Sequence, residues 1–244
     1  IIVTGYHKRT IEDHFDRPSM ELVENLRMGG PKKLPLLEAT ERISSMANFV
    51  YVRQKGPYGN GTPLLNVRQL VGDEPFLYTW SDDFIAAEPR SRFQQLIDVY
   101  NEFGCSVLAS IKATKEEDYD RYGFTGGKQL RDGLMDVDKI IEKPGKHNAP
   151  SDLANVSGYI FTPDIFEYLE RANQNLREGE ELYYNDALKM MLEDHKRVLA
   201  CEIKGGKYYD TGNKLEYMKT VVEFALKHPD LNGEFKEYLK ELIG

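Results

Sequence analysis

Asp82 and Asp83 stand side by side, directly after the run Phe76-Leu77-Tyr78-Thr79-Trp80-Ser81. A short, nearly unbroken apolar run suits a strand buried on both faces, as in a parallel sheet. Acids just beyond such a strand fall at its carboxyl end, where open α/β sheets bind ligands. Two adjacent like charges repel unless something offsets them. A divalent cation would do so. A solvated loop with a helix cap would also account for the pair, and the local sequence leaves both readings open.

A second stretch with chemical potential is Lys55-Gly56-Pro57-Tyr58-Gly59-Asn60-Gly61-Thr62-Pro63. Its glycines and prolines make it a loop, and Pro63 suits the first turn of a helix over Leu64–Leu70. It is either a plain strand-to-helix turn or a loop whose bare backbone lies against a flat ligand. Taken alone, Glu142-Lys143-Pro144 reads as an exposed loop. Asp210-Thr211-Gly212 alone reads as a turn whose carboxylate bonds its own backbone.

The elements that would position these residues follow from periodicity. Ile1–Thr4, Phe49–Gln54, Cys105–Ile111, Val137–Glu142, Asn155–Phe161 and Val198–Ile203 read as strands. Tyr122-Gly123-Phe124 resumes a strand, with Gly126-Gly127 as its turn. Thr10 is a candidate N-cap with Asp13 three residues on, and Leu36–Met46 and Tyr184–Leu192 read as helices. Phe93, Leu96, Ile97, Tyr100 and Phe103 form an apolar helical stripe, started by Ser91 and ended by Gly104. Thr162 and Pro163 predict a helix start. Lys214–Lys227 and Leu231–Leu242 are charged amphipathic helices split by Pro229. Strands alternating with helices predict an α/β sheet covered on both faces. The simplest division is one α/β domain over 1–213 and a helical extension over 214–244.

Composition narrows the classes. The 244 residues are long enough for a large core, and the net charge of −8 argues against a general nucleic-acid binder. No apolar run approaches membrane-spanning length. Cys105 and Cys201 are too few for a disulfide framework and lie in apolar strands, which predicts buried free thiols and a cytoplasmic setting. The C-terminal helices are amphipathic enough to predict a homo-oligomer. The opening Ile1-Ile2-Val3-Thr4-Gly5 reads as a strand already under way, so the expectation is a chain lacking an N-terminal segment.

Several of these stretches, in this order, resemble one family. They are Ile1–Gly5 with Ile11-Glu12-Asp13-His14-Phe15-Asp16-Arg17, Tyr51–Lys55 leading to Gly59-Asn60-Gly61, and Val71–Phe76 leading to Asp82-Asp83. Glu142-Lys143-Pro144, Tyr209-Asp210-Thr211-Gly212 and Phe224–Leu231 complete the set. The chain resembles the bacterial UTP–glucose-1-phosphate uridylyltransferases, members of the sugar nucleotidyltransferases. The resemblance implies a mostly parallel, doubly wound, Rossmann-like nucleotidyltransferase fold with C-terminal helices. It implies UTP and glucose 1-phosphate as substrates, UDP-glucose and pyrophosphate as products, and Mg²⁺ as cofactor. It also implies Asp82 and Asp210 as metal ligands, with Asp83 packing locally, and Lys143 as a catalytic point charge on the sugar phosphate. Glu142, Glu181 and Gly158 would contact the sugar. Gly59, Gly61 and Thr62 would lie against uracil, and Ser81 would also contact substrate. The family's glycine-rich G-x-G-T-R stretch would precede Ile1, so this chain alone is expected to have little activity.

Departures from the pattern bear on specificity. Thr62 replaces a customary His, Pro63 removes a backbone donor, and Ser81 stands where Gly or Pro is usual. A thymidylyltransferase, a UDP-sugar-consuming glycosyltransferase and a non-catalytic sugar-nucleotide-binding subunit are the competing readings.

Overall fold

The structure, a computed structural model, describes all residues from Ile1 to Gly244. The chain divides into two compact units, Ile1–Gly72 with Leu169–Ala187 and Asp73–Tyr168 with Leu188–Gly244.

In the first unit, strand β1 (Ile2–Thr4) pairs in parallel with β2 (Tyr51–Arg53). Between them run helices α1 (Arg9–Phe15), α2 (Met20–Met28) and α3 (Leu34–Ser44). Helix α4 (Thr62–Val71) packs on both strands, burying Leu64 and Val67. Pro63 occupies its first turn, as expected. Thr10 is not a cap: α1 begins one residue earlier, with Lys8 at the N-cap position and no side-chain bond.

The second unit carries strands β3 (Phe76–Tyr78), β4 (Asp83–Ala87), β5 (Ser106–Lys112), β6 (Gly123–Arg131), β7 (Leu134–Glu142), β8 (Leu153–Phe161), β9 (Val198–Glu202) and β10 (Gly206–Asp210). Helix α5 (Arg92–Phe103) lies between β4 and β5, and α8 (Lys214–Lys227) and α9 (Asn232–Ile243) close the chain. Helices α6 (Ile165–Gln174) and α7 (Tyr184–Glu193) follow β8. The sheet order is β3-β8-β5-β9-β7-β6, and β4 and β10 form a separate two-stranded ladder.

The α/β fold with C-terminal helices is present, but its strands do not run mostly in parallel. Within the six-stranded sheet β5–β9 is parallel and the other pairings are antiparallel. No α-helix intervenes from β5 through β8, and a short connection between neighbouring strands forces them antiparallel. Gly126-Gly127 is likewise no turn. β6 runs through it with a bulge, because Gly127 takes φ +154 and a Cβ there would stand 2.0 Å from the Asp136 carbonyl oxygen. The hairpin turns instead near Gly133, at φ 72.

The Phe76–Ile85 stretch is also corrected. It is two strands, not one, and β3 is an edge strand with Leu77 43% exposed. Phe76 stacks on Phe166, and Tyr78 packs near Phe161 and Trp80. The aromatic run therefore covers one face of an edge. The core lies beneath α5, where Leu96 and Val99 meet Val107, Ala109, Val156, Ile160 and Leu199. Ser91 and Gln94 form a complete capping box at the start of α5, and Gly104 ends it in the left-handed conformation. Pro163 precedes α6 by a turn rather than opening it, with Thr162 bonded to Asp164. Cys105 and Cys201 are free and buried. No helix is long and apolar enough to cross a membrane.

Candidate active site

The β4–β10 ladder brings two distant acids together. Its register pairs Asp83 with Asp210, so Asp82 lies beside Thr211. Thr211 clamps that end, donating both its backbone N–H and its hydroxyl to the Asp82 carbonyl oxygen at 2.7 Å. The next residue, Gly212, has no side chain. A Cβ there would stand 3.2 Å from Asp82 Oδ2 and 3.3 Å from Asp210 Oδ1. Both carboxylates therefore flank one small space that only glycine leaves open.

Asp210 is held on two sides. Its Oδ2 accepts from the Arg121 guanidinium at 2.7 Å, and its Oδ1 accepts from the Gly212 N–H at 3.2 Å. Arg121 offsets one charge of the pair, while the Asp82 carboxylate is exposed. This donor set fits a hard divalent cation. Mg²⁺ takes one or two carboxylates and completes its shell with substrate phosphates and water. No cluster of three or more His, Cys, Asp and Glu that could hold a metal is present.

Asp83 is engaged by other partners. Its Oδ2 accepts from the Tyr208 hydroxyl at 2.9 Å and from the Ser157 N–H at 3.2 Å. Its other oxygen is buried without a hydrogen bond. Burial pushes its pKa up, opposed by bonds from Ser157 and Tyr208 and by the Arg92 charge. Burial also raises the Tyr208 pKa, with Asp83 adding to the effect, and lowers that of Arg92. Arg92 donates to the Ser157 carbonyl oxygen at 2.9 Å and to Thr79 Oγ1 at 2.8 Å.

Gly158 belongs to the same assembly. It takes φ +103, and a Cβ there would lie 3.2 Å from Arg92 Nε. The room that was expected to admit a sugar admits Arg92 instead.

Glu142 ends β7 opposite Gly123, and its carboxylate occupies the space where a Gly123 Cβ would sit, 2.6 Å away. Lys143 follows at φ 45, a left-handed backbone that costs a side-chain-bearing residue about 1–3 kcal/mol and concentrates at functional sites. Its N–H donates to the Tyr122 carbonyl oxygen at 3.0 Å. Tyr122 sits edge-on to Tyr208, and its neighbour Arg121 holds Asp210. Burial pushes the Tyr122 hydroxyl pKa up to about 12. Thus Lys143 is tied by backbone to the segment that fixes the carboxylate corner. Ser81 is exposed beside Asp82. Arg121 was not anticipated, because it sits at the end of a run of charges that reads as solvated surface.

The first unit assembles the other expected residues separately. A Cβ on Gly59 would stand 2.2 Å from the Leu182 carbonyl oxygen, and one on Gly61 would meet the Leu182 and Leu169 side chains. Gly61 N–H donates to the Leu182 oxygen at 2.8 Å, and Leu182 N–H donates to Tyr58 at 2.7 Å. On the Cβ side of these glycines the close approach is to the chain itself. Thr62 is 1% exposed and donates its hydroxyl to the Pro57 oxygen at 2.7 Å. It is buried within the loop in this structure. Glu181 precedes Leu182, is exposed, and accepts from the Tyr183 hydroxyl.

A cleft of about 440 Å³ elsewhere in the second unit touches none of these residues. Its cations are already engaged: Arg90 with Asp98, Arg131 with Glu102, and Lys204 with Glu202 and Asp132. It is poorly suited to a polyanion.

Residues 1–225 match the family described as nucleotidyl transferase. Over 243 residues the chain is 37% identical to a UTP–glucose-1-phosphate uridylyltransferase of Staphylococcus epidermidis, covering 99% of this chain and 81% of that protein. It is 39% identical over 242 residues to UTP–glucose-1-phosphate uridylyltransferase 2 of Staphylococcus saprophyticus, with the same coverage of each. Among solved structures, a UTP-bound UGPase from Acinetobacter baumannii superposes with a TM-score of 0.86 at 29% identity, over 99% of this chain and 82% of the other. A UDP-glucose pyrophosphorylase complexed with UDP-glucose gives 0.76 at 33% identity, over 93% and 80%. The chain belongs to the nucleotidyl transferase family.

Proposed function

We propose that this nucleotidyl transferase joins UTP and glucose 1-phosphate to give UDP-glucose and pyrophosphate. The observation that carries the reading is the meeting of Asp82 and Asp210 around Gly212, in a chain whose relatives are named for this reaction. A phosphate oxygen of the sugar phosphate forms a bond to the α-phosphorus of UTP. The bond from that phosphorus to the bridging oxygen breaks, and pyrophosphate leaves with the electron pair. Two polyanions must therefore be neutralised and held in line.

Mg²⁺ bound by Asp82 and Asp210 would supply charge neutralisation at the phosphates. Arg121 holds Asp210 ready for that role. Lys143 would set its ammonium on the sugar phosphate, with its left-handed backbone fixing where the side chain starts. Glu142 and Glu181 would accept hydrogen bonds from sugar hydroxyls. The Gly59–Gly61 loop would meet uracil through its backbone edge, braced from behind by Leu182 and Thr62. Ser81 would border the cation.

Buried thiols at Cys105 and Cys201 favour a reducing, cytoplasmic setting. Exposed Leu215, Met218, Leu242 and Ile243 on the last helices support a homo-oligomer, which light scattering would overturn by finding monomer alone.

The test is product analysis of the full-length protein with UTP, glucose 1-phosphate and Mg²⁺. Equal amounts of UDP-glucose and pyrophosphate are expected. Release of UDP would instead indicate a glycosyltransferase. Faster turnover with dTTP than with UTP would move the assignment to a thymidylyltransferase.

A further inference from the structure

Behind the carboxylate corner lies a buried charged group with no part in the reaction as described. Arg92 is 6% exposed. Its guanidinium donates to neutral oxygens, the Ser157 carbonyl and hydroxyl and the Thr79 hydroxyl. Asp83 supplies an opposite charge nearby without a direct ion pair, and is itself bonded through Oδ2 to Tyr208 and to the Ser157 backbone. Gly158 makes the room, since a Cβ there would press on Nε, Cδ and Cζ of Arg92 at 3.2–3.3 Å. Arg92, Asp83, Tyr208 and Gly158 are thus all committed to one buried arrangement.

Stability alone does not account for it. Replacing a buried ion pair by well-packed apolar side chains is often neutral or stabilising, and the best-attested use of such groups is to fix register. Register is what this corner needs. Asp82 and Asp210 meet through a ladder of only two strands and five residue pairs, an architecture of marginal stability by itself. A slip of one residue would turn Asp210 to the opposite face. The brace spans that ladder diagonally. Asp83 pairs with Asp210, while Tyr208, two residues before Asp210 and on the same face, reaches the Asp83 carboxylate. The Ser157 N–H then ties Asp83 to β8 in the central sheet, and Arg92 in turn bonds the Ser157 oxygens.

We propose that Arg92, Asp83 and Tyr208 are positioning residues that lock the β4–β10 register, so that Asp82 and Asp210 stay converged on a divalent cation. The inference rests on the metal-dependent reading above. None of the three is among the residues placed against substrate above.

The test is Mn²⁺ binding to the full-length protein without nucleotide, followed by electron paramagnetic resonance, beside thermal melting. Residues that orient metal ligands typically change metal affinity by about 10- to 100-fold. Arg92→Leu should weaken Mn²⁺ binding by about that factor, and it should also lower melting, because it leaves Asp83 half-buried without its counter-charge. Arg92→Lys should recover part of the loss. Tyr208→Phe removes one hydroxyl and keeps the ring, so it tests the brace even if Arg92→Leu fails to fold. It should weaken Mn²⁺ binding several-fold and raise the Mg²⁺ concentration needed for turnover, with the KM for glucose 1-phosphate unmoved. Wild-type affinity for Mn²⁺ in both Arg92→Leu and Tyr208→Phe would overturn the brace alone. Wild-type protein that binds no Mn²⁺, or binds it as well after Asp82→Asn, would overturn the metal site and the brace with it.

Discussion

Two glycines in family-like stretches, Gly59 and Gly212, are built for different ends. Gly59 takes φ +114 and is closed over by its own chain, with the Leu182 oxygen where a Cβ would be. Gly212 needs no left-handed backbone, and what surrounds its missing side chain is a pair of carboxylate oxygens. In the first region glycine lets backbone pack on backbone, so the bond from Gly61 to Leu182 can form. In the second it keeps open a space between charges. A glycine in a sequence therefore announces a close approach without saying what approaches. The neighbours decide whether the position serves folding or chemistry.

The largest expected effect comes from the chemistry side. Asp82→Asn removes an exposed carboxylate that makes no packing contribution, so it should leave melting nearly unchanged. Turnover should fall by at least about 100- to 1000-fold, the scale of losing one preorganised electrostatic group. A variant that retains most of its rate would break the contrast at its stronger end. Next is Gly59→Ala. It combines a strained φ, costing about 1–3 kcal/mol, with an overlap onto backbone that cannot move aside cheaply. Melting should drop by roughly 5–10 °C for a chain of this size, and the loss should appear equally with and without substrate. Gly212→Ala should do the reverse. Its methyl would press on both carboxylates, weakening Mn²⁺ binding by about 10-fold with little change in melting. If Gly212→Ala unfolds the protein and Gly59→Ala abolishes catalysis in a fully folded one, the two regions have been assigned the wrong way round.

What was legible in the sequence follows the range of the interactions. The limits of α5 are set within a few residues by Ser91, Gln94 and Gly104, and the structure has them where the sequence places them. The two C-terminal helices around Pro229 are equally local. The nearness of Asp82 and Asp210 was reached through resemblance. Local pattern could not supply it, because β10 begins on the second of two glycines and has too little alternation to read as a strand. Arg121 left no signal, since its partner lies 89 residues away. The strand directions were not legible because β6, β7 and β8 follow one another through hairpins and loops with no α-helix between them, a case the general alternation of strands and helices does not cover. Gly158 was assigned to a sugar because nothing in the neighbouring sequence shows that Arg92 fills its space.

The smallest effect sharpens the comparison most finely, because Thr62 sits where family resemblance and packing disagree. By its place in the loop it would face a base. In the structure its hydroxyl is spent on the Pro57 oxygen, five residues back, and its side chain is sealed from solvent. Thr62→Val keeps the shape and removes that bond, leaving the carbonyl oxygen of a half-buried residue without its donor. The cost should be about 1–2 kcal/mol of stability. The KM for UTP should change little, since the loop edge that would meet uracil is held mainly by the backbone bonds between Tyr58, Gly61 and Leu182. A variant with unchanged melting but a several-fold higher KM for UTP would mean that Thr62 reaches the nucleotide. The glycine loop would then belong with Gly212 as chemistry, not with the scaffold.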